Sequence, residues 1–315
     1  MRPLPEIRFD AASAISVGRR ECQEDAIVTD FPLGANLGFV VLADGMGGHT
    51  SGDVASKIVV TEVFSELKLQ SGDEKAFEDN IVEILRDAAL TANDCVKGHV
   101  IGHPKTNGMG ATLVAPVFVR DRLFWISIGD SPLLLFRDET LRQLNEDHSM
   151  APQIEYMVKS GLMSKASGED HPDLNCLTSV LIGREIARID CPQTPVALAD
   201  GDIVIVASDG LQFLSNEQIK GVLVENRSKS GSEIAELLLK ELKDLDDPDQ
   251  DNISLSVIKV RKEHARNAAE VRDQSSLSVP VNTGPDEGLA AGRRHPAFRS
   301  LRPFRKLVAS TDDSP

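Results

Sequence analysis

Five short stretches of this 315-residue chain place an aspartate where a run of strand-forming residues starts or stops. "QED" (23–25) opens one run, "LADG" (42–45) closes another, and "SIGDS" (127–131) ends a third at Asp130. "VASDG" (206–210) closes a fourth at Asp209, and "DQDN" (249–252) leads into the last. One Asp-Gly is most simply a turn, and one Asp before a helix is most simply a cap. Five acids at matching places ask for a common reason. Carboxylates gathered without cations repel one another and raise each other's pKa. A hard cation such as Mg²⁺ or Mn²⁺ removes that conflict, because it prefers oxygen ligands and keeps bound waters. Asp44, at the end of the rigid run "LGFVVLA", suits a ligand that must not move. Gly45 leaves its carbonyl free to approach the same cation.

The elements that would hold these acids can be read from hydrophobic period. Residues 6–17 alternate, and 37–43 form a buried apolar run. Helical spacing runs through 51–67 (Val59, Val60, Val63, Phe64, Leu67) and again through 76–96 (Phe77, Ile81, Ile84, Leu85, Ala88, Ala92). Short β-type runs follow at 111–119, 122–128, 132–137 and 140–144, joined by hairpin-length turns. After a less regular stretch come a strand at 202–208, helices near 216–225 and 232–243, and a last strand at 252–260. Strands adjoin helices without strict βα alternation. That pattern predicts an α+β layered fold with antiparallel sheets.

Composition limits the function classes. Apolar residues make up 41% and charged residues 26%, as in a globular protein. No run of about 18 apolar residues is present to span a bilayer. The first residues lack the apolar core of a signal peptide, so a cytoplasmic location is expected. Cys22, Cys95, Cys176 and Cys191 are scattered, which predicts reduced and mostly buried thiols. The net charge is −15, and residues 261–315 carry ten basic and seven acidic residues, so the body before them is more acidic still. Such a body repels nucleic acid. The segment 261–315 is rich in Pro, Gly, Ser and Arg with no sustained period. It reads as a solvated basic tail. Its stretch "RRHPAFRSLRPFRK" (293–306) suggests docking to an acidic partner or a membrane surface. GxSxG, HExxH and GxxxxGK[ST] are all missing, and "DPDQDNIS" fails the EF-hand positions at Asn252 and Ile258.

In order along the chain stand "GRRECQED", "LADGMGGHTSGDVAS", "GMGATLV", "IGDSPLLLF", "NEDHS", "NCLTSVLIG", "LADGDIVIVASDGL" and "DQDNISLSVI". This series resembles the metal-dependent protein phosphatases of the 2C type in their compact bacterial form, over roughly residues 10–260. The resemblance implies a four-layer α-β-β-α sandwich, with two central antiparallel sheets flanked by helices and a two-metal site at one end. It implies a domain over 1–260 and a separate tail over 261–315. Carried over by position, Asp44 would bridge two cations and the Gly45 carbonyl would bind one. Asp209 and Asp251 would hold the other, Glu24 and Asp25 would orient waters, and Asp130 would bind a third, weaker cation. Arg20 would clamp the substrate phosphate, and His49 is a candidate acid for the leaving group. Asp147 and His148 in "NEDHS" read as a cap or loop lock.

The implied activity is hydrolysis of phosphoserine and phosphothreonine by attack of a water bridging two Mn²⁺ or Mg²⁺ ions. Phosphorylated proteins would be the substrates, a serine/threonine kinase or its targets the partners, and a monomer the expected state. The competing class is a catalytically silent relative that only binds phosphoproteins; loss of a metal aspartate would favour it, and none is lost. Three departures from the family pattern stand out: Gln23 in place of Asn, Pro132 in place of Arg, and Ser179 in place of Arg. The last two would alter the surface around the cleft and a mobile flap at about 153–175, so they bear on substrate choice.

Overall fold

The computed structural model describes residues 6–47 and 51–263. Its strands are β1 (Glu6–Ser16), β2 (Ala26–Asp30), β3 (Leu37–Ala43), β4 (Gly45–Met46), β5 (Gly110–Ala111), β6 (Leu113–Val119), β7 (Arg122–Ile128), β8 (Leu133–Arg137), β9 (Thr140–Gln143), β10 (Val196–Ala197), β11 (Ile203–Ala207) and β12 (Ile253–Glu263). The helices are α1 (Gly52–Gln70), α2 (Glu74–Asp79), α3 (Ile81–Gly102), α4 (Ala151–Lys159), α5 (Lys165–Glu169), α6 (Asn216–Asn226) and α7 (Gly231–Asp244). Two five-stranded antiparallel sheets run in the orders β1-β12-β11-β8-β9 and β10-β7-β6-β3-β2, and β4 pairs with β5.

Period-2 alternation builds the layers. In β3, Phe39, Val41 and Ala43 join a core with α1 and α3, while Val40 and Leu42 face the other sheet. In β11, Ile203, Ile205 and Ala207 pack under α6 and α7, while Val204 and Val206 face inward between the sheets. Both faces of each central strand are therefore buried, which is why those runs read as continuously apolar. Val59, Val63 and Leu67 of α1 and Leu85, Ala88, Ala92 and Val96 of α3 close one outer layer. Ile234, Ala235, Leu238 and Leu242 of α7 close the other. Each fully buried aliphatic side chain contributes about 1.5–3 kcal/mol. The result is the expected α-β-β-α sandwich. Capping boxes at Ser215/Gln218 and Ser230/Glu233 start α6 and α7.

Several elements differ from the sequence expectation. The helix expected over 76–96 is two helices broken at Asn80, whose backbone leaves helical geometry and whose side chain bonds the Ala76 carbonyl. Asp73 caps α2 through the amides of Lys75 and Ala76, which moves the start earlier. The less regular stretch holds two short helices, α4 and α5. The last strand continues to Glu263, beyond the expected 260. Among the thiols, Cys191 is buried but Cys22 and Cys176 are exposed, because both sit on loops at the acid-bearing end rather than in packed elements. Pro132 and Ser179, expected at the cleft surface, are buried. The Pro132 carbonyl accepts from the Ala207 amide, and Ser179 Oγ bonds both the amide and the carbonyl of Arg188. No described helix is long and apolar enough to cross a membrane.

Candidate metal centre

Antiparallel pairing explains why acids at strand starts and strand ends meet. Ala26 lies opposite Ala43, so Asp25 and Asp44 leave the same edge of one sheet. Ala207 lies opposite Leu255, so Asp209 and Asp251 leave the corresponding edge of the other. Leu113 lies opposite Ile128, which sets Asp130 beside Thr112, and the Thr112 amide donates to the Asp44 carbonyl at 2.8 Å.

These ends surround one cavity of about 530 Å³. Glu24, Asp44, Gly45, Asp130, Asp209 and Asp251 all line it, with Arg20 at the same cavity. Asp25 stands behind this lining, 6% exposed, with its Oδ2 accepting from Ser208 Oγ at 2.8 Å. His49 lies outside the described residues. Asp147 and His148 act as the expected loop lock: Asp147 Oδ1 accepts from the Ser149 amide, and the fully buried His148 exchanges backbone contacts with Gly129 and Thr178. Gln23 bonds Ser254 Oγ at 3.4 Å, so it reaches the inter-sheet seam beneath the cavity.

Electrostatics matches a set of acids short of cations. Burial pushes the Asp44 carboxyl well above its usual range, and Asp209, Asp25, Asp130 and Asp251 push it further. Burial raises Asp130 to about 7, with Asp209 and Asp147 adding to it. Burial likewise lifts Asp25 to about 7, against the hydroxyls of Ser208 and Ser254, which lower it. Asp209 is raised by burial and by Asp251. Asp209 Oδ1 and Glu24 Oε1 are buried without a hydrogen-bond partner. Such orphaned oxygens are costly unless something else supplies positive charge. Gly45 is held close: an added Cβ would fall 2.6 Å from the Glu24 carbonyl and collide with the carbonyl of Gly52. The donor set therefore fits hard cations, being oxygens only and mostly carboxylate. Among the described residues, no three His, Cys, Asp or Glu side chains close around one point, so water would have to complete any coordination shell.

Residues that the sequence reading passed over complete the frame. Thr112 Oγ1 accepts from the Asp44 amide at 2.9 Å and bonds Ser131 Oγ at 2.8 Å, tying the Asp44 and Asp130 turns together. Asn252, next to Asp251, bonds three backbone groups of the loop that carries Arg20 and Glu24. Asn175, Cys176, Leu177 and Val180 form a further wall. Thr112 lies inside "GMGATLV" with no acid near it in sequence, whereas Asn252 directly follows Asp251, so only Asn252 had an adjacent acid as a signal.

This sandwich, with an acid-lined cavity at the joined ends of its sheets, is similar to solved phosphatases. The Mycobacterium tuberculosis serine/threonine phosphatase PstP/Ppp superposes with a TM-score of 0.63 at 29% identity, covering 82% of this chain and 99% of that one. The catalytic domain of PstP in complex with two manganese ions gives 0.62 at 28% identity, covering 81% and 99%. In sequence, the serine/threonine phosphatase Stp of Listeria welshimeri is 33% identical over 196 residues, which are 62% of this chain and 75% of that protein. Full-length PstP of M. tuberculosis is 31% identical over 210 residues, and the match spans 38% of its length. Residues 14–245 match the family described as protein phosphatase 2C. The chain belongs to that family, and is by membership a phosphoprotein phosphatase.

Proposed function

We propose that this phosphatase removes phosphate from phosphoserine and phosphothreonine in proteins, using two divalent cations, Mn²⁺ or Mg²⁺. Asp44, the Gly45 carbonyl, Asp209 and Asp251 would hold the pair, Glu24 and Asp25 would orient water, and Asp130 would serve a third, weaker ion. The observation that carries this reading is the convergence of Asp44, Asp130, Asp209, Asp251 and Glu24 on one cavity that also receives Arg20. The manganese-bound PstP domain is a related case in support. When bound, such ions would offset the acids' mutual repulsion and the substrate's charge, and would raise the acidity of bound water.

The protein's own groups do the rest. Arg20 presents a planar fork to phosphate oxygens. Thr112 and Ser131 fix the turns that carry Asp44 and Asp130, and Ser208 fixes Asp25. His49 is suited to protonate the leaving serine or threonine oxygen, since imidazole titrates near neutral pH. Phosphorylated proteins, such as the targets of a serine/threonine kinase, are the substrates this reading requires. The expected tail over 261–315, which from residue 264 lies outside the described residues, has no part in the proposed chemistry.

The test is phosphate release from phosphothreonine and phosphoserine peptides and from an aryl phosphate, with Mn²⁺ or Mg²⁺ and with chelator. Turnover should need the cation. His49→Ala should slow peptides more than the aryl ester, whose leaving group departs without a proton. Equal losses would remove His49 from the acid role. Absence of turnover on every phosphopeptide, with cation bound, would favour a protein that only binds phosphoproteins.

A further inference from the structure

Arg20 and Glu24 sit on the loop between β1 and β2, which has no regular secondary structure of its own. Something outside that loop must fix it if its side chains are to meet a phosphate. Asn252 is 4% exposed, and its side chain uses every polar group it has on this loop. Its Oδ1 accepts from the Glu24 amide at 2.7 Å. Its Nδ2 donates to the Val17 carbonyl at 2.9 Å and to the Cys22 carbonyl at 3.0 Å. One amide thus grips both ends of the loop, on either side of Arg20. The Asn252 backbone amide donates to Asp251 Oδ1 at 2.7 Å, which links the grip to an acid of the cavity. The loop lies close enough for this only because Gly18, at φ +60°, has no Cβ to strike the Asp251 carbonyl. The Arg19 amide then reaches the Gln250 carbonyl at 2.9 Å.

We infer that Asn252 is a positioning residue for the phosphatase reaction: it holds the 17–24 loop so that Arg20 and Glu24 face the acids of the cavity. The inference rests on the proposed role of Arg20 at phosphate, but the grip itself is independent of that role. Asn is the side chain the geometry requires. Asp would keep the acceptor for the Glu24 amide and set an unprotonated oxygen against two carbonyls. Ala would leave all three backbone groups unpaired in a buried place.

The experiment compares the full chain with Asn252→Asp and Asn252→Ala by hydrogen exchange and by steady-state kinetics on an aryl phosphate with Mn²⁺. Exchange should rise in residues 17–24 and stay unchanged in β3, β6 and β11. The KM should rise by at least about tenfold, as misplacing a substrate-positioning group does. Combined with Arg20→Ala, the loss should fall well short of multiplicative, because both changes remove the same phosphate contact. Unchanged exchange in 17–24 would overturn the inference. So would a rise in exchange through all strands, which would make Asn252 a general support of the fold, and so would a mobilised loop with unaltered KM. If wild-type protein shows no turnover, the phosphatase reading fails, and exchange alone still decides whether Asn252 holds the loop.

Discussion

Arg20 donates to Asp251 Oδ2 at 2.5 Å, joining the loop after β1 to the turn before β12 across 231 residues of sequence. The arginine side chain is 57% exposed and the aspartate 30%, so the pair is wet on one side. Such a pair contributes little to stability, about 0–1 kcal/mol. Its value is positional: it keeps a guanidinium at the rim of an acid-lined cavity. Arg20→Ala should leave the melting temperature nearly unchanged and raise KM for a phosphoester by roughly 10- to 100-fold, the cost of one charge-assisted contact. Lysine at this position should restore only part, having no planar fork. A large fall in kcat with constant KM would show that Arg20 acts in the transition state alone.

The acids should sort by role. Asp44→Ala, Asp209→Ala and Asp251→Ala should each cut hydrolysis by more than the roughly 10- to 100-fold typical of outer-shell changes. Asp130→Ala should lower turnover but leave the tighter cations bound. Initial rates measured across a Mn²⁺ titration separate the two patterns: the first three variants stay slow at every concentration, and Asp130→Ala recovers in part.

Metal-free protein should lose stability as pH rises. Asp25 and Asp130, each moved from 3.8 to about 7, bind more protons when folded than when unfolded across that window. Where the folded state holds more protons, raising pH favours unfolding. The contribution is complete below the unfolded pKa and lost by the time pH passes about 7. In chelator, the melting temperature should therefore be higher at pH 5.5 than at 7.5 by the linkage argument, roughly a few degrees for such groups. Asp130→Asn should flatten that slope. Added Mn²⁺ should stabilise most at the higher pH, because cations then replace protons. A melting temperature in chelator that climbs with pH over this range would contradict the assignment.

A chain ending at residue 263 should fold and hydrolyse an aryl phosphate like the full chain. β12 runs to Glu263, and the Lys262 amide still donates to Asp200 at 2.8 Å, so a cut at 260 would trim a paired strand. Ending at 257 would also remove Ile258 and Val260 from the layer between the sheets, and that chain should be insoluble or melt early. Inactivity of the 263 form on the small substrate would give the tail a part in the domain.

Much of the site was legible because its acids flank strands buried on both faces. Apolar runs such as 37–43 and 203–207 mark themselves, and antiparallel pairing then brings Asp44, Asp209 and Asp251 to one end. What the sequence hid depends on contacts between distant residues. Nothing local shows that Asn252 reaches Val17 and Cys22, or that Thr112 receives the Asp44 amide. The break at Asn80 is invisible to a hydrophobic period, because Phe77 and Ile81 stay on one buried face across it. α4 buries only Ile154 fully, too weak a stripe to read as a helix. The family pattern, with Arg at this position, puts Ser179 at the cleft; its neighbour Val180 does line the cavity, while Ser179 itself turns inward to Arg188.

The proposed chemistry depends on whether these carboxylates hold cations. Calorimetric titration of Mn²⁺ into the chelator-treated full chain and into its Asp44→Ala variant tests it most directly. The expected result is saturable binding of at least two ions by the wild type and loss of the tight binding in the variant. Equal binding by the two proteins would contradict it.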